Sequence, residues 1–142
     1  MLVTGYTSRI MLNPFPIQFL ALLAYFILRV GVGAMLIYFG ATHARNLRAL
    51  SKKLTLPLFP YGMVSAIVFS GTEIILGIMF ILGFYTQIAA LLTMGMSLKL
   101  LFLHKWFSSP LLESRSFYLL LFFVSLSLFI TGAGAFAFDL PI

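Results

Sequence analysis

The chain has 142 residues, enough for one domain, 1–142, and too few to argue for a second. Hydrophobic residues make up 62% and charged residues 8%, far from the roughly one-quarter charged composition of a water-soluble domain, so water is the wrong solvent for it. The net charge of +6 is carried by basic residues at the ends of apolar runs without aromatic-basic interleaving, which excludes nucleic-acid binding, and the absence of cysteine excludes thiol chemistry within the chain.

The predicted fold class is all-α, an integral membrane four-helix transmembrane bundle. A hydrocarbon core about 30 Å thick needs about 20 apolar residues of helix, and four segments approach that length. The first, 17–41, follows Pro14 and Pro16 and is interrupted only by Gln18 and Arg29. It runs past the length of a secretory signal core and has no small-residue cleavage site, so it is expected to remain in the mature protein. The second, 60–83, opens on Pro60, contains Glu73 as its only ionisable group and meets Gly83 as a stop. The third, 86–103, starts at Thr86 as a potential N-cap, so that Gly83-Phe84-Tyr85-Thr86 forms the turn of an antiparallel hairpin. The fourth, 117–136, follows a polar stretch with Pro110, Glu113 and Arg115.

Aromatic residues gather at these ends, among them Tyr61, Phe84, Tyr85, Trp106 and Tyr118, which suits rings with one polar edge at a membrane interface. Arg45, Arg48, Lys52 and Lys53 lie between the first two spans and Lys105 and Arg115 between the last two, whereas Arg9 stands alone on the opposite side. The positive-inside rule then places both long connections in the cytoplasm and both chain ends outside. Arg45, Arg48 and Lys52 also recur at near-helical spacing, which suits anionic lipid or a docking partner.

Arg29 and Glu73 carry the most information, because a lone mid-membrane charge costs at least about 2.5 to 3.5 kcal/mol and persists only beside a partner or a wet cavity. Counted from the cytoplasmic ends of their helices, both lie about 18 to 20 Å deep, so adjacent antiparallel helices would pair them. Such a pair either bridges two helices structurally or lines a site for a quinone carbonyl or lipid phosphate. His43, Lys99 and His104 are weaker candidates: Lys99 has a simpler role extending its amine to the headgroups, and two histidines without a well-placed acid make a poor metal site, so no metal is expected. Small residues at spacing four, Ala89, Thr93 and Ser97 on the third span and Ser127 and Thr131 on the fourth, favour close helix approach. Gly31, Gly33 and Gly40 serve either packing or room for a flat ring beside Arg29.

The segment Leu28-Arg29-Val30-Gly31-Val32-Gly33, then Phe39-Gly40, resembles the arginine and glycine helix of the DoxX family of small four-helix membrane proteins. Glu73, Gly77 and Leu82-Gly83-Phe84-Tyr85-Thr86 resemble its glutamate helix and glycine-aromatic-threonine turn. The tail from Gly132 through Gly134 to Asp139 resembles its closing pattern, with alanines in place of a basic residue and a serine. The resemblance implies a prokaryotic plasma membrane protein linked to quinone-coupled sulfur oxidation or oxidative-stress complexes, related to the membrane subunit of a thiosulfate:quinone oxidoreductase. Its role there is expected to be that of a quinone- or lipid-binding accessory subunit with a redox partner, without catalytic activity alone. The alternatives are a membrane assembly or chaperone-like interaction protein, recruiting a partner through the basic connection, and a small transporter acting as a homo-oligomer.

Overall fold

A computed structural model describes residues 17–52, 62–103, 113–132 and Ala137, and all regular structure in them is helical. The helices are α1 (Ile17–Arg45), α2 (Leu47–Ser51), α3 (Gly62–Leu82), α4 (Thr86–Leu103) and α5 (Arg115–Thr131). Of the sequence expectations, Pro60 as a helix opener, Lys53, His104, Trp106 and Gly134 lie outside the described residues.

Two helices, Leu20–Arg45 and Gly62–Leu82, are long and apolar enough to cross a membrane, while Thr86–Phe102 and Arg115–Thr131 are shorter apolar helices. At 1.5 Å per residue α4 extends about 27 Å, close to the thickness of a hydrocarbon core. All four long helices turn large apolar side chains outward, among them Ile27, Val68, Phe102 and Ile130, at 59 to 75% exposure. A water-facing surface would not carry such side chains on every helix; lipid accepts them without cost.

The helix ends follow from local chemistry. Beyond the expected stop at Ala41, α1 continues to Arg45, because nothing in Ala41-Thr42-His43-Ala44 breaks a helix and the Thr42 hydroxyl is satisfied by donating to the Tyr38 carbonyl at 2.9 Å. The bend comes at Asn46, whose backbone N–H donates to His43 O at 3.1 Å and whose carbonyl receives the N–H groups of Ala49 and Leu50. That single residue redirects the chain into α2, so the basic connection begins as an ordered helix.

Gly83 stops α3 as expected. Its φ of +66 is the left-handed conformation, the Phe84 N–H reaches Met79 O at 3.0 Å, and the Gly83 N–H reaches Phe80 O at 3.2 Å. This is the Schellman arrangement, which satisfies carbonyls that a helix end leaves open. Tyr85 (φ 46) contributes the carbonyl that accepts from Ala89 N at 2.9 Å, so α4 opens on Tyr85 and Thr86 is its first helical residue instead of its cap. The last long helix starts two residues earlier than expected, capped by the Ser114 hydroxyl accepting from Phe117 N, and stops at Thr131 because Gly132 (φ 76) turns the chain.

Most of the packing lies between α1 and α3 and between α4 and α5, with narrower contacts of α3 on α4 and α1 on α5. The α1–α3 seam is a stripe at spacings of three and four: Arg29, Val32, Gly33, Leu36, Gly40 and His43 face Ala66, Ser70, Glu73, Gly77 and Phe80, all buried. Gly33 and Gly77 set the register. A Cβ on Gly33 would lie 2.7 Å from Gly77 O and a Cβ on Gly77 2.7 Å from Gly33 O, so the two backbones touch where neither has a side chain. Gly40 likewise faces Glu73 and Ser70 with no room for a Cβ, whereas Gly31 has open space around it and takes no part in the seam.

On α4, Ala89, Thr93 and Ser97 are fully buried, as their spacing predicted. The buried face of α5 is instead Tyr118, Leu121, Ser125 and Leu128. Thr131 is exposed and donates to the Ser127 carbonyl, so that expected small-residue pair satisfies its own helix and does not form the seam.

Candidate functional site

Lipid and an apolar core leave a buried charge nothing to interact with except another side chain or the backbone. Three charged or titratable side chains of the α1–α3 seam are buried, and they sit at two levels.

At the level where α1 meets α2, His43 Nδ1 lies 2.6 Å from Glu73 Oε2, with both residues almost fully buried. One shared proton makes this pair neutral overall, whether written as imidazolium and carboxylate or as imidazole and carboxylic acid, and that neutrality is what permits burial. The Phe69 ring lies 5.4 Å from the imidazole, and buried Ser70 is one turn before Glu73, its hydroxyl donating to Ile67 O. Tyr118 of α5 is buried at this end of the bundle, packed with Leu50 of α2 and Ala66 of α3.

At the other end of the seam, Arg29 is 0% exposed. Its guanidinium stands 5.5 Å from the centre of the Phe26 ring and lies against Gly83, where a Cβ would come within 2.6 Å of Nη1 and 2.9 Å of the Ala137 Cα. Gly83 is thus required twice, for its backbone conformation and for the space that Arg29 fills. Ala137 shows that the chain beyond α5 returns to this corner.

The expected Arg29–Glu73 pair is therefore corrected: Glu73 pairs with His43. Gly83, level with Arg29, is ten residues from Glu73 along α3, or about 15 Å. Counting depth from the helix ends failed because it assumed a common surface. In the structure α1 runs a further turn past Ala41, and α2 packs on the first turns of α3 with Leu50 against Ala66. Between the two polar levels lies an apolar core that includes Leu36, Leu76, Phe80 and Leu121.

His104 lies outside the described residues, and His43, expected only as a weaker candidate, is the residue that meets Glu73. The signal for its true partner is the stripe itself: Gly33, Gly40 and His43 share one face of α1, and Ser70, Glu73 and Gly77 share one face of α3. Lys99 is exposed on α4. Gly132 ends α5 beside the Gln87 amide, which donates to Phe129 O at 3.5 Å. Among the described residues no group of three His, Asp or Glu side chains converges to hold a metal ion.

A family model, DoxX, matches residues 24–106, more than half of the chain. The chain belongs to the DoxX family. No curated protein and no solved structure matches the chain significantly. The DoxX match takes in Arg29, His43, Glu73, Gly83 and Lys99 and ends before α5, so Tyr118 and the tail pattern from Gly132 lie beyond it. As a DoxX protein with apolar outward faces, it is a membrane protein whose surroundings include lipid.

Proposed function

We propose that this DoxX protein is an accessory subunit of a membrane redox complex, binding a quinone head group at His43 and Glu73. In this reading the four long helices all span a prokaryotic plasma membrane, with the α1–α3 and α4–α5 connections in the cytoplasm and both chain ends outside. The charge asymmetry of the connections supports that orientation.

The observation that carries the proposal is the 2.6 Å His43–Glu73 contact buried between two apolar helices. A pair sharing one proton offers a donor to a quinone carbonyl and an acceptor to a quinol hydroxyl, so it can hold either redox form and pass a proton. Aromatic surfaces suited to a flat ring lie beside it, with Phe69 on α3 and the edge-to-face pair of Phe39 on α1 and Phe117 on α5, their centres 5.0 Å apart. Since α1 and α5 make the narrowest contact among the long helices that touch, a ring enters from the bilayer between Phe39 and Phe117. The chain supplies binding and proton exchange, and the electron acceptor or donor is a partner protein.

Glu73→Gln tests this. The amide keeps the size and one hydrogen bond but cannot exchange a proton at neutral pH. Protein extracted gently from its own membrane should carry quinone in native mass spectrometry and lipid extracts, and the variant should lose it while retaining its helix content. Unchanged quinone in a folded variant would remove the proposal.

A further inference from the structure

We propose that α2 and the end of α1 form a binding site for the phosphate head group of an anionic phospholipid. Leu50 of α2 is fully buried against Ala66 of α3, Leu100 of α4 and Tyr118 of α5, so one side chain plugs the ends of three helices. With Leu50 inside, Arg45, Arg48 and Lys52 are all exposed. Arg48 and Lys52, four residues apart, share one side of α2, and Arg45 ends α1 immediately before the Asn46 bend.

The bend is held rigidly. Asn46 donates from its side chain to Thr42 O at 3.0 Å and from its backbone to His43 O at 3.1 Å, so the backbone that carries the basic residues is fixed at the bend. Among the described residues neither Arg45 nor Arg48 has an acidic partner. The whole chain contains only three acids; Glu73 is buried with His43, Glu113, at this same end, is offset by Arg115 two residues on, and Asp139 lies outside the described residues. The local field is therefore positive.

Lipid is favoured over a soluble anion by what adjoins the site. The first turns of α3, on which α2 packs, expose Met63, Val64, Ile67 and Val68, an apolar surface for acyl chains next to cations for their phosphate. A zwitterionic head group presents the same phosphate with its own cation and gains less.

The test uses the full chain in detergent with equal amounts of phosphatidylglycerol and phosphatidylcholine of identical acyl chains, bound lipid being counted by native mass spectrometry. The unmodified protein should prefer phosphatidylglycerol, and the preference should weaken as salt rises. Arg45→Gln, Arg48→Gln and Lys52→Gln together should abolish it, each exposed charge being worth about fivefold. Arg48→Gln alone should weaken it about fivefold, and this single surface change keeps the test decisive should the triple variant misfold. Lys99→Gln and Glu73→Gln should leave it intact, which separates this site from the quinone reading. No preference in the unmodified protein, an unchanged preference in the folded triple variant, or an equal loss in Lys99→Gln would overturn the proposal. Loss of an acidic protein partner with lipid preference unchanged would overturn it too.

Discussion

Replacing Gly77 with alanine tests the α1–α3 contact on which the buried site depends. The new Cβ would stand 2.7 Å from Gly33 O, 2.7 Å from Ile37 Cγ1 and 3.0 Å from Ile37 N. Carbon and carbonyl oxygen settle at about 3.3 to 3.6 Å, so the helices must part by roughly 0.6 to 0.9 Å. Two of the three obstructing atoms are backbone, so no rotamer change relieves them. Overpacking of this kind costs about 1 to 3 kcal/mol, and the better helix propensity of alanine returns about 0.5 to 1. The net expectation is a loss of up to about 2.5 kcal/mol. Gly31→Ala and Gly95→Ala have the opposite sign, because a Cβ at either position meets nothing within 4 Å, leaving a gain of about 0.5 to 1 kcal/mol from propensity alone. Unfolding of the three variants in mixed micelles, titrated with dodecyl sulfate and followed by far-ultraviolet circular dichroism, measures the difference. Should Gly77→Ala prove as stable as Gly31→Ala, the helices do not meet through these glycines and the register that brings His43 to Glu73 is wrong.

His43→Phe leaves the Glu73 carboxyl buried without its imidazole and should cost about 3 to 5 kcal/mol in the same titration, whereas the double variant His43→Phe with Glu73→Leu should recover most of it. Recovery by the double variant is the signature of the pair; equal losses in both would point to packing instead. Gly83→Ala forces a side chain into a left-handed backbone, costing about 1 to 2 kcal/mol, and also into Arg29. A double-mutant cycle with Arg29→Ala should therefore show a less than additive loss, and strict additivity would mean that the Arg29 contact carries no energy.

Much of the architecture was legible from the order of residues. Apolar runs too long and too poor in charge for water located the long helices, and Gly83 marked the end of α3 because only glycine adopts its backbone there without strain. The arginine, glutamate and glycine-aromatic turn carried the DoxX resemblance, now shown by the family match. The helix ends were less legible at Ala41 and Thr131, where stops depend on competing weak preferences. The expected small-residue pair on α5 went wrong because spacing alone cannot say which face of an apolar helix meets lipid and which meets protein.

By itself the sequence determined the solvent of this protein and the residues that solvent makes costly, since the price of a charge in hydrocarbon depends only on residue type and the surrounding run. Which costly residues meet was decided only by the tertiary structure. Arg29 and Glu73 attract one another on paper, but electrostatic complementarity is satisfied equally by His43, and the choice between them is one of register. Register is set by where two backbones can touch, at Gly33 and Gly77, and by α2 packing beside the start of α3. Those are contacts between distant parts of the chain, and they move Glu73 about 15 Å away from Arg29 to within hydrogen-bonding reach of His43.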